Sequence, residues 1–553
     1  MILIAPIYFL LFFIPGFVCV LFLRKHVVQS NHQIFLTSLI FSFCITYVGF
    51  FIYFFNPEVG KLYSYVSILI SFTLLAKKFQ TIKNILPEIG FQFALVVFVY
   101  FFYISISEFY PVIINNRFLV GLPTDNELPW NFADCIYSHN DNVRECFRRG
   151  GFWLSSDRPP VFTSIILFLL PFKSEYVLGI DFYRYSGAVI QSTWILGLIF
   201  FLFSLGFRSS LIYYLSLLAI TSGVFLINTV FLWPKLITVV PFVYGYFALM
   251  EDKTRSKPFL VAMGFISLAL GFLMHGGILF SILSLFLLIF CRYSFSNKRV
   301  YVLRLIPYAL VMVITIIPWT MYQKLYDPPG DHLLKMRMAG QRNLDDPILY
   351  PNHPRVKEGQ TLKEAIVEAY SSVPTEAIID SKIKNVQTLF FIPTISVDTS
   401  DFYVNFKYLN EWVKSSQFFY TFASQDFTLL GILFLPYSFS LASKRQRKSL
   451  IDLSFIALVS FGLWILLMFE PNATIIHQGS YFNLILILVI LGHGAFFSPI
   501  RNILLVFHML LFLFWIPDLN LNYSIYQWEY LVFSVVSFLL LVFMLRKTIL
   551  FKK

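Results

Sequence analysis

The stretch FQFALVVFVYFFYISI (residues 91–106) contains no charged side chain, and similar apolar runs recur along the whole 553-residue chain. A helix needs about 20 apolar residues to cross the hydrocarbon core of a bilayer. The chain holds 66 phenylalanines and has a mean hydropathy of +0.73, a composition that excludes a water-soluble protein. Because the runs are long and continuous, they favour α-helical spans over the alternating strands of a membrane barrel.

The apolar runs predict an all-α polytopic membrane protein with about 13–15 transmembrane helices. The first run lacks the basic leader and the small-residue cleavage site of a secretory signal, so we expect it to remain as a helix. The runs lie near 2–23, 33–55, 62–76, 91–106, 186–206, 211–231, 234–250, 258–273, 275–291, 302–321, 425–442, 450–469, 481–497, 502–516 and 528–545.

Clusters of lysine and arginine lie between these runs and set the predicted topology. Such clusters concentrate in cytoplasmic loops. They place two large polar segments, 107–160 and 322–424, on the extracytoplasmic side. The clusters are Arg24 and Lys25; Lys77, Lys78 and Lys83; Lys253, Arg255 and Lys257; Arg292, Lys298, Arg299 and Arg304; Lys444, Arg445, Arg447 and Lys448; and the tail RKTILFKK.

Two short segments are predicted to lie at the membrane surface on the outer side. VFTSIILFLLPF (161–172) is too short to cross, and the topology also requires that it does not cross. We expect it to form an interfacial or re-entrant helix. TLKEAIVEAY (361–370) has apolar residues at helical spacing, which predicts a short amphipathic helix. The apolar positions of that helix are Leu362, Ile366, Val367 and Tyr370.

The net charge of +12 is accounted for by the lysines and arginines of cytoplasmic loops, so we do not expect nucleic-acid binding. Cys135 and Cys146 share one polar segment and could form a disulfide in an oxidising compartment. Cys19, Cys44 and Cys291 lie in or beside apolar runs, where cysteine is usually a packing residue. The sequence has no spacing of Cys and His that is typical of a metal site.

The segment GLPTDNELPW (121–130) places two acids, Asp125 and Glu127, in the first outer segment, and further acids and arginines follow. A carboxylate near the membrane surface can act as a general base toward an acceptor hydroxyl. Arginine or lysine can bind the phosphate of a lipid-linked donor and stabilise it as a leaving group. The same charges could instead neutralise one another in a solvated loop.

TDNELPWNFAD (124–134) followed by WLSSDRPP (153–160) resembles the first outer loop of the C-type integral-membrane glycosyltransferases, the GT-C superfamily. In that superfamily a catalytic Asp or an Asp–Glu pair follows the first core helix, and a charged residue before two prolines leads into a juxtamembrane helix. Other patches resemble segments of a bacterial branch of these transferases. They are FLWPKLIT (231–238), MHGGILF (274–280), YDPPGDHLLKMRMAG (326–340) and IIHQGSYFN (475–483).

The resemblance implies a GT-C fold and a division of the chain into four parts. Residues 91–321 would form the seven-helix core, including a catalytic outer loop at 107–185. Residues 1–90 would add N-terminal transmembrane helices. An extracytoplasmic loop with an amphipathic helix would occupy 322–424, and further transmembrane helices would occupy 425–553.

The resemblance also implies roles for individual residues. Asp125 best matches the catalytic base, with Glu127 as an alternative base or a positioning group. Asp134 could share a helical face with Glu127, or it could be a surface acid. Asp157 is either catalytic or a cap of the helix that follows it. The candidate residues for binding the donor phosphate, which could instead be interfacial or solvated side chains, are Arg158, Lys235, His275, Lys335, Arg337 and His477.

The expected function is transfer of a sugar from a polyprenyl-monophosphate donor to a glycan, lipid or protein acceptor, with inversion and without a metal or cofactor. The expected location is the bacterial inner (plasma) membrane, with the active site facing the periplasm. One alternative is a polysaccharide polymerase or ligase that uses a diphosphate-linked donor. A lipid or glycan flippase, which would need broken helices and buried ionisable groups, is another. A scaffold subunit of an envelope-assembly complex would not need the acids.

Overall fold

The computed structural model describes residues 1–27, 32–108, 126–138, 146, 154–251, 257–294, 299–328, 330–340, 359–390, 422–469, 481–513 and 526–550. These residues form helices joined by turns, and none of them forms a strand. Together with the many long apolar helices, this confirms the predicted class, an all-α multi-pass membrane protein.

Helices coincide with the apolar runs throughout the described residues, as continuous hydrophobicity predicts. In the first half of the chain they are α1 (Ala5–Val27), α2 (His32–Phe55), α3 (Pro57–Lys77), α4 (Phe79–Glu108), α5 (Leu128–Tyr137), α6 (Val161–Leu169), α7 (Gly179–Gln191), α8 (Trp194–Ser204), α9 (Ser209–Ile220), α10 (Gly223–Val230), α11 (Val239–Met250) and α12 (Pro258–Met274). The later helices are α13 (Leu279–Ser294), α14 (Arg299–Leu325), α15 (His332–Ala339), α16 (Leu362–Ser372), α17 (Thr375–Leu389), α18 (Leu435–Leu441), α19 (Lys444–Leu467), α20 (Tyr481–Phe497), α21 (Arg501–Phe512) and α22 (Tyr526–Leu550). Segments of 3₁₀ helix are Ser155–Asp157, Leu170–Phe172, Leu236–Thr238, Gly276–Ile278 and Phe422–Phe434.

By length and composition, nine of the described helices could cross a membrane, and ten could if α9 and α10, bent by 63°, form one span. This is fewer than the predicted number of about 13–15. The reason is that several apolar runs form helices of fewer than 18 residues, and the run near 211–231 is broken between α9 and α10. The shorter apolar helices are Val161–Phe172, Leu236–Met250, Pro258–Met274, Asn483–Phe497 and Arg501–Phe512.

The segment 161–172 is surrounded by other parts of the protein and has no face exposed to the surface. It forms α6 and a 3₁₀ turn, and every side chain of α6 is buried. The helix packs against α2 and α5, with further contacts to α1 and α12. Its length agrees with the expectation that it does not cross. Packing against other helices on all sides explains its apolar composition. The prediction of an interfacial helix did not include this packing.

The amphipathic helix predicted in TLKEAIVEAY forms as α16, and the predicted apolar residues Ile366 and Tyr370 pack beside its buried positions. Thr361 and Glu364 form a capping box at its start, which satisfies two amide groups that lack helical partners. Ala365 and Ala369 are the buried positions and α16 packs against α15, whereas Val367 is 57% exposed. The short side chains of the two alanines allow the close contact between the two helices.

Close helix contacts in the N-terminal part depend on a small residue. α1 packs along α2, and Gly16 of α1 lies directly against Ser38 and Ser42 of α2. A Cβ atom at position 16 would overlap the Ser38 carbonyl oxygen and the Ser42 side chain, so the two backbones could not approach as closely. Small residues have this role widely in membrane helix pairs, where hydrophobic burial contributes little to helix association.

We expect Gly16→Ala to lower the free energy of unfolding by about 1–3 kcal/mol, because the methyl group forces α1 and α2 apart. Gly462→Ala in α19 is the matched control: among the described residues, apart from the backbone of its own helix, no atom lies within 4 Å of a Cβ built there. The control should be neutral or stabilising by up to about 1 kcal/mol, since alanine favours helix. Unfolding in an SDS titration measures both. Equal stability of the two variants would contradict the packing assignment.

Candidate functional site

The main chain of the acidic segment that contains Asn126 and Glu127 is hydrogen-bonded to a side chain of α7. Asp125 lies outside the described residues. The next residue, Asn126, is buried, and its carbonyl oxygen accepts a hydrogen bond from the Tyr183 hydroxyl at 2.5 Å. The carboxylate of Glu127 lies 3.9 Å from the Arg184 guanidinium. Helix α7 therefore fixes the position of the chain next to the predicted base.

Two further residues of the first outer segment, Asp134 and Cys135, lie on α5. Asp134 is exposed, and Lys173 acts on it electrostatically. Its environment differs from that of the half-buried Glu127 at the start of the same helix. The neighbouring Cys135 is buried and forms a disulfide with Cys146. The disulfide closes a short loop after α5.

Asp157 is buried and caps the 3₁₀ turn that contains it. Its Oδ2 atom accepts a hydrogen bond from the Leu154 amide at 2.7 Å. The residue at the N-cap of α6 is Pro160, and no side chain caps that helix. The predicted capping of the following helix by Asp157 is therefore wrong: the carboxylate reaches back to the turn before it, because the extended Arg158 separates it from α6.

Asp327, which is not among the predicted site residues, holds this turn against the end of α14. Its side chain is fully buried, and its Oδ2 accepts hydrogen bonds from the Ser155 hydroxyl and the Ser156 amide, both at 2.8 Å. The Tyr322 hydroxyl lies 2.5 Å from the Ser155 hydroxyl. The available signal was an acid placed between an apolar run and two prolines, in the quoted YDPPG motif.

Lys235 lies on a buried turn that is hydrogen-bonded to Gln191, the last residue of α7. The Gln191 amide nitrogen donates to the Trp233 carbonyl oxygen at 2.5 Å, and its amide oxygen accepts from the Ile237 amide at 3.2 Å. The Lys235 ammonium group lies 3.5 Å from the centre of the Trp233 ring, and the residue is only 4% exposed. A cation–π contact is therefore one of the interactions that stabilise this buried charge.

His275 occupies the turn between α12 and α13. Its Nδ1 atom accepts a hydrogen bond from the Gly277 amide at 3.1 Å. Burial lowers the pKa of His275 well below its ordinary value, and the positive charges of Lys235, Arg158 and Arg337 lower that pKa further. The imidazole is therefore neutral near pH 7, and it has three cationic neighbours.

Three of the predicted phosphate-binding residues, from distant parts of the chain, thus act electrostatically on a fourth, His275, and all four are buried. Arg158, Lys235, His275 and Arg337 are each at most 7% exposed, and we call this group the cationic cluster. Guanidinium and ammonium groups held in a dry site bind phosphate strongly, because water does not screen their charge. The cluster is therefore suited to an anion.

The two remaining candidates, Lys335 and His477, are not part of this cluster. Arg337 and Lys335 lie on α15, and the main-chain carbonyl of Arg337 accepts a hydrogen bond from the Phe469 amide at 3.0 Å. Lys335 is 2% exposed and forms an ion pair with Asp331 at 2.9 Å, one helical turn earlier. His477 lies outside the described residues. Among the residues that are described, no group of three or more His, Cys, Asp and Glu side chains could hold a metal ion.

Comparisons with known proteins give no family assignment. No protein-family model matches the chain, and no curated protein and no solved structure matches it significantly. Function is therefore inferred from the cationic cluster and the acids near it.

The disulfide predicts a specific pattern of cysteine alkylation. In unreduced, denatured protein, three cysteines (Cys19, Cys44 and Cys291) should react with a maleimide, and after reduction all five should react. Cys135→Ser should leave Cys146 free, so that the unreduced variant gains one reactive site. Intact-protein mass spectrometry counts the additions. Full alkylation of the unreduced wild-type protein would show that the bond does not form.

The lowered pKa of His275 predicts a pH-dependent stability. The unfolded chain takes up a proton as the pH falls through about 6.5, whereas folded His275 does so only at lower pH. Stability from this group is therefore complete above that value and decreases as the pH falls below it. The decrease in melting temperature from pH 8 to pH 5.5 should be smaller in His275→Gln, and Lys235→Gln should also reduce it. An unchanged slope in both variants would contradict the electrostatic coupling.

Proposed function

We propose that this protein is a membrane glycosyltransferase of the GT-C type, which transfers a sugar from a polyprenyl-monophosphate donor to a glycan, lipid or protein acceptor. The observation that supports this proposal most directly is the cationic cluster. Arg158, Lys235 and Arg337 place positive charge around His275 inside an apolar helical bundle. A lipid phosphate is an anion that reaches such a place from the membrane.

In the proposed reaction the cluster binds the donor phosphate and stabilises it as the leaving group. Negative charge on the phosphate oxygens increases as the bond to the anomeric carbon breaks, so fixed cations lower the energy of the transition state. The neutral His275 ring contributes its Nε2 atom as a polar group without adding a further charge. This step needs neither a metal ion nor a cofactor.

The acceptor would be activated by Asp125 or Glu127. A carboxylate that removes the hydroxyl proton allows the acceptor oxygen to attack the anomeric carbon, and a single displacement inverts its configuration. The position of Asn126 and Glu127, the described residues of this segment, supports this assignment. The Tyr183 hydroxyl binds the Asn126 carbonyl and lies 3.4 Å from the Leu232 carbonyl, so one side chain connects the acidic segment to the turn that carries Lys235.

The proposed location is the bacterial inner membrane, with this site facing the periplasm. The lysine and arginine clusters support a cytoplasmic position for the opposite ends of the helices. The disulfide between Cys135 and Cys146 supports an oxidising compartment for α5, because such bonds persist outside the cytoplasm.

A flippase is the second candidate, and one observation favours it. The helices α9 and α10 are bent by 63° at a short break, and α10 leads directly into the turn that carries Lys235. Broken helices beside a charged site are typical of transporters. A transporter would move the lipid-linked substrate without breaking the sugar–phosphate bond, which gives a direct test.

We expect the protein, reconstituted in vesicles, to release polyprenyl phosphate from at least one member of a panel of polyprenyl-phosphate hexoses and pentoses. Lys235→Gln and Arg337→Gln should each lower the rate by roughly 10²–10³-fold, because the leaving phosphate loses a cation. Asp125→Asn or Glu127→Gln should lower it by roughly 10²–10⁴-fold, and the variant with the larger loss identifies the base.

Lys384→Gln is the matched control for these charge changes, since Lys384 is a lysine on α17 with a side chain that is 57% exposed. It should keep the wild-type rate, and melting temperatures should show that all variants fold. Translocation of the labelled lipid across the vesicle without bond cleavage would support the flippase. Wild-type activity in Lys235→Gln would remove the assigned role of the cluster.

A further inference from the structure

A cavity of about 700 Å³ lies at the helix ends opposite to the turns that carry Lys235 and His275. Its volume falls within the range of about 300–1,000 Å³ that is usual for small-molecule sites. The start of α9 and the last turns of α22 form its walls. The walls combine two arginines, Arg208 and Arg546, with apolar and aromatic side chains that include Phe203, Phe207 and Tyr213.

The described part of the chain does not neutralise the charge of the two arginines, which are both exposed at the cavity. The Arg208 guanidinium lies 4.7 Å and 5.0 Å from the ring centres of Phe496 and Phe497. These rings fix the side chain through cation–π contacts and leave its charge in place. Within the described residues, neither Arg208 nor Arg546 forms an ion pair or donates a side-chain hydrogen bond, and no acid lines the cavity.

The position of the cavity indicates where its ligand comes from. The helix α22 is long and apolar enough to cross a membrane, as is the bent pair α9 and α10 if it forms one span, and the cavity lies at their ends. Exposed Lys444, Arg447 and Lys547 lie at the ends of α19 and α22, in clusters that are predicted to be cytoplasmic. A basic pocket between membrane helices at that depth suits the phosphate of an anionic lipid, with acyl chains along the apolar wall.

We propose that this cavity binds the headgroup of an anionic phospholipid, with Arg208 and Arg546 contacting its phosphate. The site is separate from the cationic cluster, and it does not depend on the proposed glycosyl transfer. The aromatic wall distinguishes a membrane lipid from free phosphate, which has no apolar part to place there.

The test uses purified full-length protein and native mass spectrometry with added phosphatidylglycerol, with phosphatidylcholine for comparison and inorganic phosphate as competitor. Wild-type protein should bind phosphatidylglycerol in preference to phosphatidylcholine. The double variant Arg208→Gln/Arg546→Gln should bind phosphatidylglycerol roughly 10- to 30-fold more weakly, because each arginine near a lipid phosphate contributes on the order of 1 kcal/mol.

The matched control Lys444→Gln/Arg447→Gln removes two exposed charges from the same end of the bundle, at residues that do not line the cavity. It should keep the wild-type affinity. Ser210→Trp, which fills the cavity without removing a charge, should weaken binding as well and remains informative if the double arginine variant does not fold. An equal loss in the control, wild-type affinity in Ser210→Trp, or displacement of the lipid by millimolar phosphate would overturn the proposal.

Discussion

The burial of positive charge inside an apolar helical bundle is the constraint on which the rest of this structure depends. Moving an ammonium or guanidinium group out of water costs several kcal/mol unless polar partners compensate. Arg158, Lys235 and Arg337 are nevertheless at most 7% exposed. The fold limits the cost in two visible ways: His275 among them stays neutral, and Lys235 lies over the Trp233 ring. Such an arrangement is retained in proteins mainly where function requires it.

Three buried side chains form hydrogen bonds with main-chain groups and keep the cluster in place. Gln191 binds both sides of the Trp-Pro-Lys turn, Tyr183 binds the acidic segment, and Asp327 binds the turn before Arg158. Turns that interrupt helices leave amide and carbonyl groups without helical partners, and in an apolar interior these groups must be satisfied. The polar side chains therefore stabilise the turns, and the turns hold the charged residues at the centre of the site.

The helices follow from the sequence more reliably than their lengths do. Continuous hydrophobicity predicts where helices form, because an apolar environment requires that each backbone group bonds within its own segment. It does not show where within a run the helix begins, ends or bends. The runs near 234–250 and 258–273 form helices of 12 and 17 residues, and the run near 211–231 is bent by 63° between α9 and α10, so fewer helices than predicted are long enough to cross. Segment 161–172 shows the same limit, since its apolar residues face other helices on every side.

The sequence by itself determined the all-α membrane class, the positions of the apolar helices and the candidates Arg158, Lys235, His275 and Arg337. The class and the helix positions follow from hydropathy, which is a local property, and the four candidates follow from the resemblance of short polar segments to a known family. Only the tertiary structure decided that the charges of Arg158, Lys235 and Arg337 act on His275, that Lys335 pairs with Asp331, and that Asp157 caps its own 3₁₀ turn. The tertiary structure also shows that Asp327 binds the turn before Arg158. The physical reason is that burial and hydrogen bonding depend on neighbours more than a hundred residues away, as in the bond from Ser155 to Asp327, and no local pattern encodes such a distance.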